Sequence, residues 1–254
     1  MRGGTTLLHT ILASHAAIAV FARELRALIW CRQSGLGHIL RVHHHLLLGN
    51  RWFRYPQFRR QVYRYLWCII RENGLFQSQV GVESCHRAFA ACLADSGSLY
   101  VGDKYPDYVF HCEEFIHRPD CRVILIVRDP RDVICSIFDR IHSGNWAGRS
   151  WVKKYSNIRG ATNYWNMAAR VMADLNTSKS GVLVIRYEDL VQQTRKTVSR
   201  ISDHLEVDSG GFDISSTHAK SIGKHTRILE AAAIHQIEQN TLTLMNSFGY
   251  RSCS

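Results

Sequence analysis

The sequence predicts an α/β protein: a parallel sheet flanked by helices on both faces. Two apolar runs carry that reading, "RVILIV" at 122–127 and "GVLVIRY" at 181–187. Both are rich in branched residues and lack polar–apolar alternation, the pattern of strands buried on both faces. Each is followed by a segment with helical apolar spacing, and strands alternating with helices imply βαβ units and parallel pairing. Ligands of such sheets gather at the carboxyl ends of the strands. The residues just beyond the strands, Asp103, Lys104, Arg128 and Tyr187, are therefore the first to inspect.

Taken in order, Thr6–Ala13 reads as a helix opening directly after "RGGTT". "AIAVF" (17–21) reads as a short strand and "RELRALI" as a turn entering a helix. Residues 57–73 place Val62, Leu66, Ile69 and Ile70 at helical spacing, with Gly74 as the stop. Residues 79–95 form a further helix, and "LYVGDKYP" (99–106) a short strand running into a loop, with a helix after Pro106. After the strand at 122–127, a helix spans 130–142 with Pro130 in its first turn, a position that proline favours. Helices follow at 159–176, around 195–205 and from Ala231 onward, and "SSTHAKSIGKHTR" reads as a loop.

The 254 residues, 46% of them hydrophobic, suit one domain with a substantial core, and no Gly/Ser-rich or Pro-rich linker divides them. A net charge of +11 points to anionic partners. The basic residues are dispersed rather than blocked, which argues against a nucleic-acid partner. The 8 cysteines include no CxxC pair and read as reduced, buried thiols. No apolar stretch reaches the roughly 20 residues of a membrane span, and no signal peptide is evident, so the expected location is the cytoplasm, with an upstream signal or anchor as the alternative.

Three motifs carry chemistry. "RGGTTLL" (2–8) is a glycine-rich turn entering a helix, which presents backbone N–H groups and a positive helix end to an anion. The competing reading is a polar tail that caps the helix, and the GxxxxGK[ST] of a Walker A loop is absent. "VILIVRDPRDVICSIFDR" (123–140) sets Arg128 at a strand tip, with Ser136 and Arg140 four apart on one face of the next helix. All three can face one anion; alternatively, Ser136 is a packing residue and Arg140 a solvated charge. "VIRYEDL" (184–190) ends a strand on Tyr187, and Glu188 and Asp189 complement a helix N-terminus.

Together with "GDKYP" and "SIGKHTR", these segments resemble the sulfotransferase family that uses 3'-phosphoadenosine 5'-phosphosulfate (PAPS), nearest its bacterial-type and tyrosylprotein-sulfotransferase-like branches. The resemblance implies an adenylate-kinase-like P-loop α/β fold and no metal. It maps the 5'-phosphosulfate loop onto Arg2, Gly3, Gly4, Thr5, Thr6 and Leu7, and the 3'-phosphate motif onto Arg128, Ser136 and Arg140. Tyr187 corresponds to the family's "YEDL"-like tyrosine, Ser221 and Lys224 to a late loop that closes over the nucleotide, and Lys104 to a lysine shortly before proline. It also implies a glutamate base, mapped onto Glu24, whose alternative role is an ion pair with Arg23 or Arg26. Arg2 and Lys104 would neutralise the departing phosphate while the acceptor attacks sulfur in line.

The pattern is departed from in places. Gly3 replaces a usual serine, and Ala16 stands where proline is frequent. The family places a buried strand before the phosphosulfate loop; Met1 stands where it would end, so that strand is expected to be missing. The segment from about 32 to 80 lies outside the nucleotide motifs and is where acceptor specificity is expected. It contains His43–His45, a poor metal triad because adjacent side chains diverge, and the aromatic-rich "NRWFRYPQF" (50–58). The acceptor is open: carbohydrate, small alcohol, lipid or protein tyrosine. The rival readings are a P-loop kinase and a non-catalytic nucleotide-binding homologue.

Overall fold

The structure is a computed structural model. It describes residues 3–31, 33–49, 55–76, 79–94, 97–144, 146, 152–176 and 181–252. In chain order the helices are α1 (Thr5–Ala13), α2 (Gly35–Gly49), α3 (Pro56–Asn73), α4 (Val82–Leu93), α5 (Pro130–His142), α6 (Val152–Tyr155), α7 (Ile158–Asn176), α8 (Tyr187–Gln192), α9 (Thr194–Leu205), α10 (His225–Ile228) and α11 (Ala231–Ser247). The strands are β1 (Ile18–Val20), β2 (Tyr100–Gly102), β3 (Val123–Val127) and β4 (Val182–Arg186). The chain falls into two compact units. One comprises Leu8–Phe115 with Gly210–Asp213; the other comprises Met1–Leu7, Ile116–Ser209 and Ile214–Ser254.

In the first unit β1 and β2 pair in parallel, Ile18 opposite Tyr100 and Val20 opposite Gly102. Parallel neighbours need a long crossover, here the α2–α4 segment. Phe21, Phe58, Val62, Tyr65, Ile69, Ala88 and Phe89 are buried in this unit. Phe21 meets Phe89 edge-on, with ring centroids 5.1 Å apart. Val62, Tyr65, Leu66 and Ile69 recur at three- and four-residue intervals, so α3 buries one stripe. Its opposite face leaves Tyr63 and Trp67 exposed among arginines.

In the second unit β3 and β4 pair in parallel from Val123–Val182 to Val127–Arg186. Leu125, Ile126, Val127, Val184 and Ile185 are buried. Ile134, Ala161 and Ile237 form a core cluster joining α5, α7 and α11. The tip of β3 is held by Trp165, whose indole N–H donates to the Arg128 carbonyl at 2.9 Å. Asp129 caps α5 by accepting from the Arg131 N–H. The Arg131 guanidinium binds Asp129 and, at 2.6 Å, Glu238 of α11. These charges are buried, so each needs its partner.

The parallel pairing and the strands at 123–127 and 182–186 agree with the sequence reading, as do the helices at 130–142 and 158–176. Other details differ. Residues 35–49, unassigned from sequence, form α2. "RELRALI" is a turn entering a helix, as read, but the helix is a short 3-10 one: Arg26 is left-handed, with φ 61°, and the 3-10 turn covers Ala27–Trp30. Tyr187 begins α8 rather than ending β4. Glu188 lies in the first turn of α8, as expected, but it is buried and accepts from the Asp129 N–H and the Tyr250 hydroxyl. The segment read as a loop at 215–227 contains a 3-10 turn at Ala219–Ser221 and the start of α10. Cys31, Cys68, Cys85, Cys92, Cys112, Cys121 and Cys135 are buried and outside any disulfide, in line with the reading as reduced thiols; Cys253 lies outside the described residues.

Candidate active site

In the second unit three distant motifs meet at one place. Gly4 adopts φ +93°, a left-handed conformation that glycine reaches without a Cβ penalty. A Cβ here would collide with Tyr187 Cδ2 and lie 3.2 Å from Ile126 Cδ1. The glycine-rich turn therefore lies directly against the Tyr187 ring. The Arg128 guanidinium stacks over that ring, 4.5 Å from its centroid. Gly3 is buried, Thr5 and Leu7 are half-buried and Thr6 is exposed; Arg2 lies outside the described residues.

Arg128 is itself buried, and its charge is met on several sides. It donates to the Ser221 carbonyl and lies 3.4 Å from the Asp132 carboxylate one helical turn later. Asp132, 1% exposed, also accepts from the Gly223 N–H at 2.9 Å, the His225 N–H at 3.0 Å and His225 Nδ1 at 2.7 Å. Burial pushes its carboxyl upward, but the His225 bonds and the Arg128 charge outweigh this and hold it below the usual range. Two turns along α5, Lys224 pairs with Asp139 at 3.0 Å. The loop carrying Ser221 and Lys224 is thereby laid along α5. Ser136, buried, sits between Asp132 and Asp139 at helical spacing, and Arg140 is half-buried one turn beyond Ser136.

In the first unit Glu24 and Lys104 come together, Oε1 to Nζ at 2.6 Å. Arg26 approaches the other carboxylate oxygen at 3.4 Å, so the alternative role as an ion pair is realised with Arg26. Arg23 instead lies over the Tyr55 ring. Burial raises the Glu24 carboxyl, yet Lys104 and then Arg26 outweigh burial and hold it low, ionised at neutral pH. Asp103 assembles this pair. It accepts from the backbone N–H groups of Leu25 (3.0 Å), Arg26 (2.8 Å) and Lys104 (2.8 Å), and from the Tyr108 hydroxyl (2.6 Å). The left-handed Arg26, which costs a non-glycine residue about 1–2 kcal/mol, is held there by two of these contacts, Leu25 N–H and its own N–H.

Two positioning residues, Asp132 and His225, were absent from the sequence reading, and Asp103 was noted only for its place after a strand. A usable signal was present. Asp132 stands four residues after the strand-tip arginine, the spacing of a helical ion pair. Among the described residues, no group of three or more His, Cys, Asp or Glu side chains is arranged to hold a metal ion, and no helix is long and apolar enough to cross a membrane.

The profile described as the sulfotransferase family matches residues 1–210. No curated protein matches the chain. Two solved structures are similar. A sulfotransferase domain from the Synechococcus PCC 7002 olefin synthase superposes with a TM-score of 0.63 at 22% identity, over 98% of this chain and 92% of that one. A sulfotransferase domain from the curacin biosynthetic pathway superposes with a TM-score of 0.60 at 18% identity, over 98% and 95% of the two chains.

Gly4→Ala should destabilise the protein by roughly 2 kcal/mol or more, because both backbone and ring oppose a Cβ. Urea unfolding measures this, and wild-type stability in the variant would contradict the packing described. Burial pushes the Asp103 carboxyl up to about 6, against about 3.9 in an unfolded chain. Between those values the folded state holds more protons, so this residue makes stability fall as pH rises from about 4 to about 6. Asp103→Asn should be less stable at pH 7, by about 1–3 kcal/mol for the mismatched donors. It should also lose that component of the pH slope. Urea titrations of both proteins between pH 4 and pH 7 provide the check; identical slopes would rule out a raised Asp103.

Proposed function

The chain belongs to the sulfotransferase family, and we propose that it moves the sulfuryl group of PAPS to a hydroxyl or amine acceptor, with Glu24 as general base. The observation that carries this reading is the convergence of Gly4, Tyr187 and Arg128. A glycine-rich turn, a strand-tip arginine and an aromatic face packed together suit a phosphorylated nucleotide: backbone N–H groups and a guanidinium for phosphates, and a ring for apolar contact. The proposal treats residues 1–254 as one sulfotransferase domain, with about 32–80 supplying acceptor specificity.

In this reading Arg128, Ser136 and Arg140 bind the 3'-phosphate. Gly3, Gly4, Thr5, Thr6, Leu7 and Arg2 bind the 5'-phosphosulfate. Ser221 and Lys224 belong to the loop over the nucleotide. The acceptor oxygen or nitrogen attacks sulfur, the bond from sulfur to the bridging phosphate oxygen breaks, and the acceptor proton passes to Glu24. Lys104 and Arg2 neutralise charge on the departing phosphate. The Glu24–Lys104 pair supplies a coupling between these roles. A lysine drawn toward the departing phosphate leaves its glutamate without its nearest counter-charge, and that carboxylate becomes a stronger base as the acceptor proton is lost.

Two measurements test the assignment. Glu24→Gln should lower turnover of labelled PAPS, in a screen of phenols, alcohols, sugars and tyrosine peptides, by about 10²–10⁴-fold. Nucleotide affinity should stay within a few-fold, and wild-type turnover would remove Glu24 from the mechanism. Arg128→Ala should weaken binding of 3'-phosphoadenosine 5'-phosphate by roughly 10–100-fold. Binding of adenosine 5'-phosphosulfate, which lacks the 3'-phosphate, should change far less. An equal loss for both ligands would mean that Arg128 acts only through the fold.

A further inference from the structure

The first unit contains a buried chain of polar contacts that the proposed reaction does not use. Cys31 closes the 3-10 turn that begins at Arg26, and Cys85 lies on α4. Their sulfur atoms are 3.6 Å apart across 54 residues of sequence. The Tyr65 hydroxyl lies within hydrogen-bond distance of both Cys85 Sγ, at 3.3 Å, and His38 Nε2, at 2.8 Å. His38 Nδ1 lies 2.9 Å from the Trp30 carbonyl. A carbonyl only accepts, so Nδ1 carries a hydrogen. Nε2 of the neutral ring then accepts the Tyr65 proton; when Nε2 is protonated, Tyr65 donates to Cys85. The contact with Cys31, and then that with Tyr65, lowers the Cys85 thiol against the opposing effect of burial.

We propose that Cys31 and Cys85 are a peroxide-oxidisable pair that closes to a disulfide, tying the segment behind Glu24 to α4. Cys31 is 8% exposed and Cys85 fully buried, so the oxidant is met at Cys31. The Cys31 sulfur attacks a peroxide oxygen, the O–O bond breaks, and the leaving hydroxide takes the thiol proton, giving a sulfenic acid and water. The Cys85 sulfur attacks the Cys31 sulfur, the S–O bond breaks, and hydroxide departs with the Cys85 proton as a second water. Two thiols are oxidised by two electrons and one peroxide becomes two waters. Closing 3.6 Å to the roughly 2.05 Å of a disulfide draws the end of the 3-10 turn toward α4. That turn starts at Arg26, the residue clamped by Asp103 and paired with Glu24.

The test uses the whole chain, treated with hydrogen peroxide or with dithiothreitol, alkylated, digested and analysed by mass spectrometry. Peroxide should yield a cross-linked peptide pair containing Cys31 and Cys85, two hydrogens lighter than the separate peptides and reversed by dithiothreitol. Cys31→Ser should abolish it. Cys85→Ser should leave a sulfenic acid at Cys31, trapped by dimedone. If that core variant does not fold, the wild-type cross-link map and the Cys31→Ser result still decide. Recovery of both thiols alkylated after excess peroxide, or either one joined to Cys68 or Cys92, would overturn the proposal. The readout is mass, so it stands apart from any failure of the sulfuryl-transfer reading.

Discussion

A carboxylate with almost no exposure, Asp132, is the constraint on which the second unit depends. A lone buried carboxylate is expensive, and it is tolerated only where donors surround it. Those donors are the Arg128 guanidinium, two backbone N–H groups of the 223–225 segment and the His225 ring. Satisfying Asp132 therefore fixes the strand-tip arginine and the late loop at once. The Tyr187 face then meets Arg128, and Gly4 is pressed against Tyr187. The order of dependence runs from a buried charge to a loop, then to a ring and finally to a glycine.

The first unit solves its problem in the same way. Asp103 gathers three backbone N–H groups and the Tyr108 hydroxyl, bringing the Phe21–Arg26 segment to Lys104. The two carboxylates respond differently because their donors differ. Asp132 is bonded by a histidine and faced by an arginine, so its ionised form is favoured. Asp103 receives neutral donors only, so desolvation wins and its carboxyl rises. Neither carboxylate is assigned to the chemistry; each orients groups that are.

The charge balance at Glu24 follows from the same physics. Partial burial by itself pushes a carboxyl toward its protonated form. Lys104 and Arg26 keep it ionised, at the expense of basicity.

The alternation of strands and helices was legible in the sequence because local periodicity and branched apolar runs are local properties. The β3–α5 segment shows this best: the strand at Val123–Val127 and the Pro130 start of α5 both follow from adjacent residues. The strand-end residues Arg128, Tyr187 and Lys104 were legible for the same reason, with family resemblance adding their expected roles. What only the tertiary structure decided is which donors each carboxylate collects. Asp132 reaches His225 across 93 residues and Asp103 reaches Arg26 across 77. Such pairings leave no periodic trace, because they are set by which buried charges lack partners once the strands and helices have packed. The left-handed Arg26 is the clearest case. Its neighbours read as a turn entering a helix, but the left-handed residue at which the turn is made is held by a distant carboxylate.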